Sequence, residues 1–151
     1  MKKNLYNANF TMAKVNRPIF PQKHILVVED NLSCQFKIAS HFNDIFEEEG
    51  HVIASFVSNA IAAAAIIVGK VPVDLILLDH DLQWGNGTEL LIMIKELGII
   101  IPVITFSGLP YNNKKMVEIG ADYGYQKQDV IDGKADHIIK NIVGGNRDGK
   151  P

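Results

Sequence analysis

The chain has 151 residues, of which 47% are apolar, and its formal net charge is only −2. A chain of this length suits one domain with a core that needs no disulfide bonds, and its charge excludes a strongly basic nucleic-acid-binding surface or a long acidic tail. The apolar runs are too short to span a membrane, the first residues lack the order of a secretory signal, and the single Cys34 fits a reducing cytoplasm, where we expect it to be an apolar filler.

Strands and helices are predicted to alternate along the chain. Residues 1–22 are polar and contain two prolines, which predicts an arm outside the fold. Short apolar runs predict strands, and apolar residues at helical spacing predict helices. The predicted strands are 24–28, 51–57, 74–78, 102–106 and 122–126. The predicted helices are one capped by Ser33 and closed by residues 47–50, and four more at 59–69, 88–98, 111–120 and 135–145. A single domain thus spans residues 23–145, and residues 146–151 form a frayed tail.

Five strands, each followed by a helix, predict an α/β fold with a parallel sheet covered by helices on both faces. Such doubly wound sheets bind ligands at the carboxyl ends of their strands, where the strand order reverses. We adopt the flavodoxin-like order 2-1-3-4-5 from known folds of this type, since the sequence itself does not define it. In that order the first and third strands are neighbours.

Charged and hydroxyl residues stand where four of these strands end. They are Glu29 and Asp30, Asp79, Ser107 with Gly108, and Lys127. Three clustered carboxylates raise one another's pKa in a dry site. Mg²⁺ relieves that conflict, because it prefers oxygen ligands. The pattern therefore predicts a site for a metal ion and a phosphoryl group.

The chain resembles the receiver domain of two-component response regulators over nearly all of residues 23–145. The resemblance is carried by five motifs in the family's order, which are VVED, DLILLD, GTELL, PVITFSG and GADYGYQK. It implies a single-domain phosphorelay protein. In this family an aspartate receives a phosphoryl group from the phosphohistidine of a sensor histidine kinase or a histidine phosphotransfer protein.

The resemblance assigns Asp79 as the phosphoacceptor. It makes Asp30 a direct Mg²⁺ ligand and Glu29 a water-mediated one, with Asp79 and the backbone carbonyl of Asp81 completing the protein's contacts to the metal. Physical arguments add the rest of the pocket. Lys127 and Mg²⁺ could neutralise the transferred oxygens, the Ser107 hydroxyl could donate to one of them, and Gly108 leaves room for the group.

Output through a protein–protein contact is the expectation that follows. The partners would be the phosphodonor and a downstream protein target, and a homodimer is compatible with the resemblance. We expect no nucleic-acid binding, because nothing after residue 145 could form a recognition helix and the net charge supplies no basic face. We also expect no membrane association and a cytoplasmic location.

The sequence departs from the family at three places. Leu82-Gln83 replaces a Met-Pro pair after the acceptor, which loosens that turn. Gln128 replaces the proline after the lysine, so either this peptide is trans or the site holds a cis bond that costs about 2.5–4 kcal/mol. Gly124 stands at the position of the family's switch aromatic, which leaves the output route open.

Two other functions remain open from the sequence. Asp79 and Asp81 also fit the D-x-D pair of a haloacid-dehalogenase-type phosphatase, although that pair usually follows the first strand and such enzymes carry a cap domain. The other alternative is a pseudo-receiver that binds partners without being phosphorylated.

Overall fold

A computed structural model describes residues 22–48 and 50–144. In these residues five strands form one parallel sheet. The strands are β1 (Lys23–Val28), β2 (Val52–Val57), β3 (Leu75–Leu78), β4 (Val103–Thr105) and β5 (Tyr123–Gly124). Their order is β2-β1-β3-β4-β5, and every neighbouring pair is parallel. The doubly wound sheet and its order are therefore confirmed.

Helices follow each strand. They are α1 (Leu32–Phe46), α2 (Ala60–Val68), α3 (Gly87–Glu96), α4 (Pro110–Ile119), α5 (Lys127–Ile131) and α6 (Asp136–Ile139), and a π-helical segment, Lys140–Gly144, continues α6. The predicted arm at 1–22 lies outside the described residues except for Gln22, and so does the tail at 146–151. None of the described helices is both long and apolar enough to cross a bilayer.

The two faces of the sheet carry separate apolar cores. Alternate residues of β1 and β3 point to opposite faces, so Ile25 and Leu77 enter one core while Leu26 and Ile76 enter the other. The first core packs against α1 and the C-terminal helices, and the second packs against α2, α3 and α4. Helices on both faces leave the carboxyl edge of the sheet free for a site, as the parallel sheet predicts.

Two details of the helix assignments differ from the sequence prediction. Asn31, not Ser33, caps α1, because the Asn31 side chain accepts a hydrogen bond from the Cys34 amide. The second difference is α5, a helix of five residues that the sequence did not predict and that begins at Lys127 itself. So short a segment has too few residues to display a helical apolar repeat.

Candidate functional site

The carboxyl ends of β1 and β3 lie side by side, since Val28 pairs with Leu78. The pairing continues one residue further, where the Asp79 amide donates to the Val28 carbonyl at 3.0 Å. The pairing of β1 with β2 also continues one residue further, where the Glu29 amide donates to the Val57 carbonyl at 3.0 Å. Both carboxylates therefore start from backbone that is still hydrogen-bonded to the sheet, which limits how far they can move apart.

Three carboxylates meet at this edge. Oxygen atoms of Glu29, Asp30 and Asp79 all lie within 4.8 Å of one another. Glu29 and Asp79 are buried, whereas Asp30 is more accessible to solvent. Two buried carboxylates so close together are costly unless a cation neutralises them.

Lys127 provides positive charge between the two buried carboxylates. Its Nζ donates to both Glu29 oxygens, at 2.8 and 3.1 Å, and to Asp79 Oδ2 at 3.0 Å. Lys127 is positioned for this by the start of α5, immediately after β5. No described peptide bond is cis, so the peptide between Lys127 and Gln128 is trans, and the lysine reaches the cluster without the family's proline.

The acidity of these groups departs from their ordinary values. Burial and, after it, the nearby Glu29 raise the pKa of Asp79 from 3.8 to about 7, and Lys127 only partly offsets them. Burial alone would lower the pKa of Lys127, but its bonds to Glu29 and Asp79 outweigh burial and raise it above the usual value. Lys127 thus stays charged, while Asp79 carries a proton more readily than an exposed aspartate.

Cys34 lies in the core beside this cluster. Burial, with Glu29 nearby, raises the pKa of its thiol to about 12. A thiol of that pKa is not a nucleophile near neutral pH, and its burial in the core confirms the prediction of an apolar filler.

A close approach of two backbones holds the loop after Asp79. Here, a Cβ on Gly87 would lie only 2.0 Å from the Asp79 carbonyl oxygen, so no side chain fits at this position. The Gly87 amide donates to the His80 carbonyl at 2.8 Å, and the His80 amide donates to Asp79 Oδ1 at 2.8 Å. Gly87 therefore lets the start of α3 pack directly against the backbone at the carboxyl end of β3.

Residues 80–86 extend from that contact towards solvent. Asp81 and Asn86 form an isolated antiparallel bridge, and the side chain of Asp81 is 71% exposed and pairs with His80. Trp84 is 62% exposed, and its carbonyl accepts from the Ala60 amide at 3.3 Å. Trp84 is thus open to solvent, whereas the His80 side chain is mostly covered.

Ser107 and Gly108 follow β4 beside Asp79. The Phe106 amide donates to the Leu78 carbonyl at 3.1 Å, which carries the sheet pairing up to Ser107. Ser107 is buried, and its Oγ accepts from the Leu109 amide at 3.2 Å. A Cβ on Gly108 would meet no atom within 4 Å, so the space beside this residue is open.

Gly124 faces α4 rather than an open slot. A Cβ at this position would lie 3.2 Å from both Asn113 Cβ and Val117 Cγ2. Tyr125, the next residue, packs against the opposite core, as strand alternation predicts. The space next to position 124 is therefore filled by α4, and no aromatic ring swings there.

The structure brings four predicted site residues into close contact: Glu29, Asp30, Asp79 and Lys127. Ser107 and Gly108 lie at the neighbouring strand end, and the Asp81 side chain points into solvent, which leaves only its backbone as a contact. Two residues were not identified from sequence, Gly87 and Asn113. Gly87 was noted only as part of the GTELL motif. Asn113 could have been suspected from its place one helical turn before the buried Met116.

The donor set fits a hard divalent cation. Carboxylate oxygens are the ligands Mg²⁺ takes in proteins, and it keeps several waters, so three carboxylates with one accessible side suit it. Glu29, Asp30 and Asp79 would hold such an ion, whose charge would favour the ionised form of Asp79 that burial and the nearby Glu29 disfavour.

Comparison with known proteins gives one consistent answer. The family model of the response regulator receiver domain matches residues 25–132. No curated protein sequence matches at a significant level. Similar solved structures include the phosphorylated cyanobacterial phytochrome response regulator RcpA (TM-score 0.68, 20% identity, 82% of this chain and 95% of that one).

Two further structures are similar. The NtrX receiver domain of Brucella abortus has a TM-score of 0.64 and 26% identity over 80% of this chain and 98% of that one. The Mn²⁺-bound form of the response regulator Rcp1 has a TM-score of 0.57 and 20% identity over 75% of this chain and 92% of that one.

Proposed function

This chain belongs to the family of response regulator receiver domains, and we propose that Asp79 is its phosphoacceptor. The phosphoryl group would come from a sensor histidine kinase or a histidine phosphotransfer protein. One observation carries the proposal: Lys127 Nζ bonds Asp79 and Glu29 together at the carboxyl edge of the sheet. A lysine in that position favours an ionised aspartate and can stabilise charge on incoming phosphoryl oxygens.

Each side chain has a stated role in the transfer. An oxygen of Asp79 attacks phosphorus, an acyl phosphate bond forms, and the phosphorus–nitrogen bond of the donor histidine breaks, with its electron pair staying on the imidazole. The Lys127 ammonium group shifts its hydrogen bond from the Asp79 carboxylate to the phosphoryl oxygens, while the Ser107 hydroxyl donates a hydrogen bond to one of them. Gly108 leaves the space they occupy.

Glu29, Asp30 and Asp79 would bind Mg²⁺, with the Asp81 carbonyl as a further ligand. The ion would supply charge neutralisation to the transferred oxygens. Glu29 and Asp79 must share their present bonds to Lys127 with the metal, so metal binding and the Lys127 contacts are coupled. The phosphorylated RcpA and the Mn²⁺-bound Rcp1 support this assignment by analogy of fold.

The output is a contact with another protein in the cytoplasm, with no nucleic acid and no membrane as partner, and a homodimer is one form that this contact could take. The near-neutral net charge supports the exclusion of nucleic acid. Salt-sensitive binding of the full chain to random duplex DNA at low micromolar concentration would contradict it.

Intact-mass measurement after incubation with acetyl phosphate tests the function. We expect the wild type to gain one phosphoryl group when Mg²⁺ is present and none in EDTA. Asp79→Asn should gain none. Asp81→Asn, two residues away and with an exposed side chain, should be labelled like the wild type.

The alternatives give different results in the same experiment. A haloacid-dehalogenase-type phosphatase would turn over a phosphoester and would lose turnover in Asp81→Asn, because the second aspartate of its pair is its general acid. A pseudo-receiver would gain no phosphoryl group in any variant. Equal labelling of wild type and Asp79→Asn would contradict the assignment of Asp79.

A further inference from the structure

Asn113 is a buried polar residue that the proposed transfer does not use. It lies on α4 with 6% of its surface exposed, one turn into a helix whose N-cap, Leu109, makes no side-chain cap bond. An amide carries two donors and one acceptor, and burying them without partners costs free energy. The partners of Asn113 therefore indicate why an asparagine occupies this position.

All the hydrogen-bonding groups of this amide are used. Its Oδ1 accepts from the Ser107 amide at 2.7 Å and from the Thr105 hydroxyl at 3.0 Å. Its Nδ2 donates to the Ser107 carbonyl at 2.9 Å and to the Tyr125 carbonyl at 2.7 Å. The reverse orientation of the amide would place oxygen against two carbonyls, so only one orientation satisfies these four groups.

Three of the four bonds hold the end of β4, and the fourth crosses to the segment after β5. Ser107 is clamped by both its amide and its carbonyl, while its side-chain Oγ is left with weaker bonds, to the Leu109 amide at 3.2 Å and the Asn112 side chain at 3.4 Å. Tyr125 precedes Lys127 by two residues. One side chain thus joins the backbone that carries the hydroxyl to the backbone that leads to the lysine.

The neighbourhood of Gly124 is part of the same arrangement. A Cβ there would lie 3.2 Å from Asn113 Cβ, so the glycine allows α4 to come close enough for the amide to reach Tyr125. The Asn113 bonds and Gly124 therefore occupy, together, the space next to β5 on the α4 side.

We propose that Asn113 is a positioning residue for phosphoryl capture, fixing the separation between Ser107 and the Lys127 segment while leaving the Ser107 hydroxyl with only its two longer bonds. The inference rests on the proposed function, because it assigns Ser107 and Lys127 to the phosphoryl oxygens. Asn113 touches neither the metal ligands nor the phosphoryl group. Its removal should slow transfer without weakening metal binding.

The test compares four forms of the full chain: wild type, Asn113→Ala, Asn113→Asp and Asp122→Ala. Asp122 is the matched control, since its carboxylate accepts from the Val103 amide at 2.8 Å at the opposite end of β4, far along the strand from the pocket. Asp122→Ala loses one side-chain-to-backbone bond that joins β4 to the β5 region, whereas Asn113→Ala loses four hydrogen bonds at the pocket end. Asn113→Asp keeps the shape and the acceptor but sets a second oxygen against the Ser107 and Tyr125 carbonyls.

Three quantities are measured, namely stability by urea unfolding, Mg²⁺ affinity by calorimetry, and the phosphorylation rate as a function of acetyl phosphate concentration. A displacement of about 1 Å in a reacting group lowers rates by up to about 100-fold. We expect both Asn113 variants to be slowed on the order of 10- to 100-fold at saturating Mg²⁺, with Mg²⁺ affinity unchanged or higher. Asp122→Ala should lose stability but keep the wild-type rate.

The outcomes separate the two proposals. If the wild type is labelled and the Asn113 variants are phosphorylated equally fast, the positioning role is overturned. It is also overturned if Asp122→Ala is slowed as much as the Asn113 variants, because the slower rate would then follow from a general loss of stability. An unlabelled wild type would overturn the proposed function, and the inference with it. If Asn113→Ala does not fold, the positioning role is tested with Asn113→Asp and with amide exchange of the wild type. Strong protection of the Ser107 amide with and without beryllofluoride supports the positioning role, and a loss of that protection overturns it.

Discussion

The two sides of the acidic cluster are held in different ways. On the β4–β5 side, buried or partly buried side chains cross between elements: Asn113 joins Ser107 to Tyr125, and Lys127 joins the β5 side to Glu29 and Asp79. On the β3 side, residues 80–87 are held mainly by their own backbone, through the Gly87–His80 bond and the bridge between Asp81 and Asn86.

Exposure follows the same division. Ser107 and Asn113 are buried, whereas the Trp84 side chain is exposed to solvent. Gly85, in the same loop as Trp84, adopts a left-handed backbone (φ 77°). Segments with few buried contacts open at lower free energy than cross-linked buried ones. The comparison therefore indicates a pocket with a fixed side, which under the proposed function would align the phosphoryl group, and an adaptable side, residues 80–87, which would respond to it.

Removal of the Lys127 charge should cause the largest loss of stability on the fixed side of the pocket. Lys127→Met leaves Glu29 and Asp79 buried without their cation, and loss of one partner from a buried ion pair costs about 3–5 kcal/mol. We expect urea unfolding in EDTA to report a loss of about 3 kcal/mol, partly recovered in excess Mg²⁺, and no phosphorylation. Lys134→Met, which breaks an exposed pair with Asp129, is the control and should cost less than about 1 kcal/mol. Equal stability of the two variants would contradict the role of the Lys127 charge.

Gly87→Ala breaks the junction between the adaptable loop and Asp79. The added Cβ would overlap the Asp79 carbonyl, and backbone must shift to relieve it, at about 2–3 kcal/mol. Gly108→Ala, where the Cβ meets nothing within 4 Å, should change stability by less than about 0.5 kcal/mol. Thermal unfolding of both variants measures the difference, and a Gly87→Ala protein as stable as Gly108→Ala would show that the close approach is unnecessary.

The pKa of Asp79, raised to about 7, gives a stability difference that depends on pH. Between about pH 4 and 7 the folded protein binds more protons at this group than the unfolded chain, so its contribution to stability falls as pH rises through that window. Asp79→Asn removes this loss of stability, because asparagine does not ionise. In EDTA we expect the variant to match the wild type near pH 4 and to exceed it by roughly 1–2 kcal/mol at pH 8. A difference that is constant with pH would contradict the raised pKa.

The pattern of strand ends could be read from the sequence, and the cross-element bonds could not. Buried apolar runs that stop at a carboxylate, such as DLILLD, indicate both the strand and the site, because periodicity and charge are local properties. The strand order was adopted from known folds. The Asn113 bonds depend on Tyr125 and Ser107, which approach only after β4, α4 and β5 have packed, and α1 was assigned the wrong cap because Asn31 and Ser33 are both good capping residues.

The smallest expected effect is a difference between the two sides in response to a phosphoryl mimic. If Asp79 is the phosphoacceptor, beryllofluoride with Mg²⁺ should mimic a phosphoryl group there and order residues 80–88. We expect Trp84 emission to change and amide exchange to slow over 80–88, with residues 111–125 little altered because the Asn113 bonds are already formed. A protection change confined to 111–125 with unchanged Trp84 emission would place the response on the fixed side.

Chemical mapping of the phosphoryl group tests directly whether Asp79 is the phosphoacceptor. Borohydride reduces an aspartyl phosphate to homoserine, so the wild type is phosphorylated with acetyl phosphate and Mg²⁺, reduced and digested, and its peptides are sequenced by mass spectrometry. We expect homoserine at position 79 and at none of the other aspartates. Homoserine at position 30 or 81, or unmodified Asp79 in protein whose intact mass shows a phosphoryl group, would contradict it.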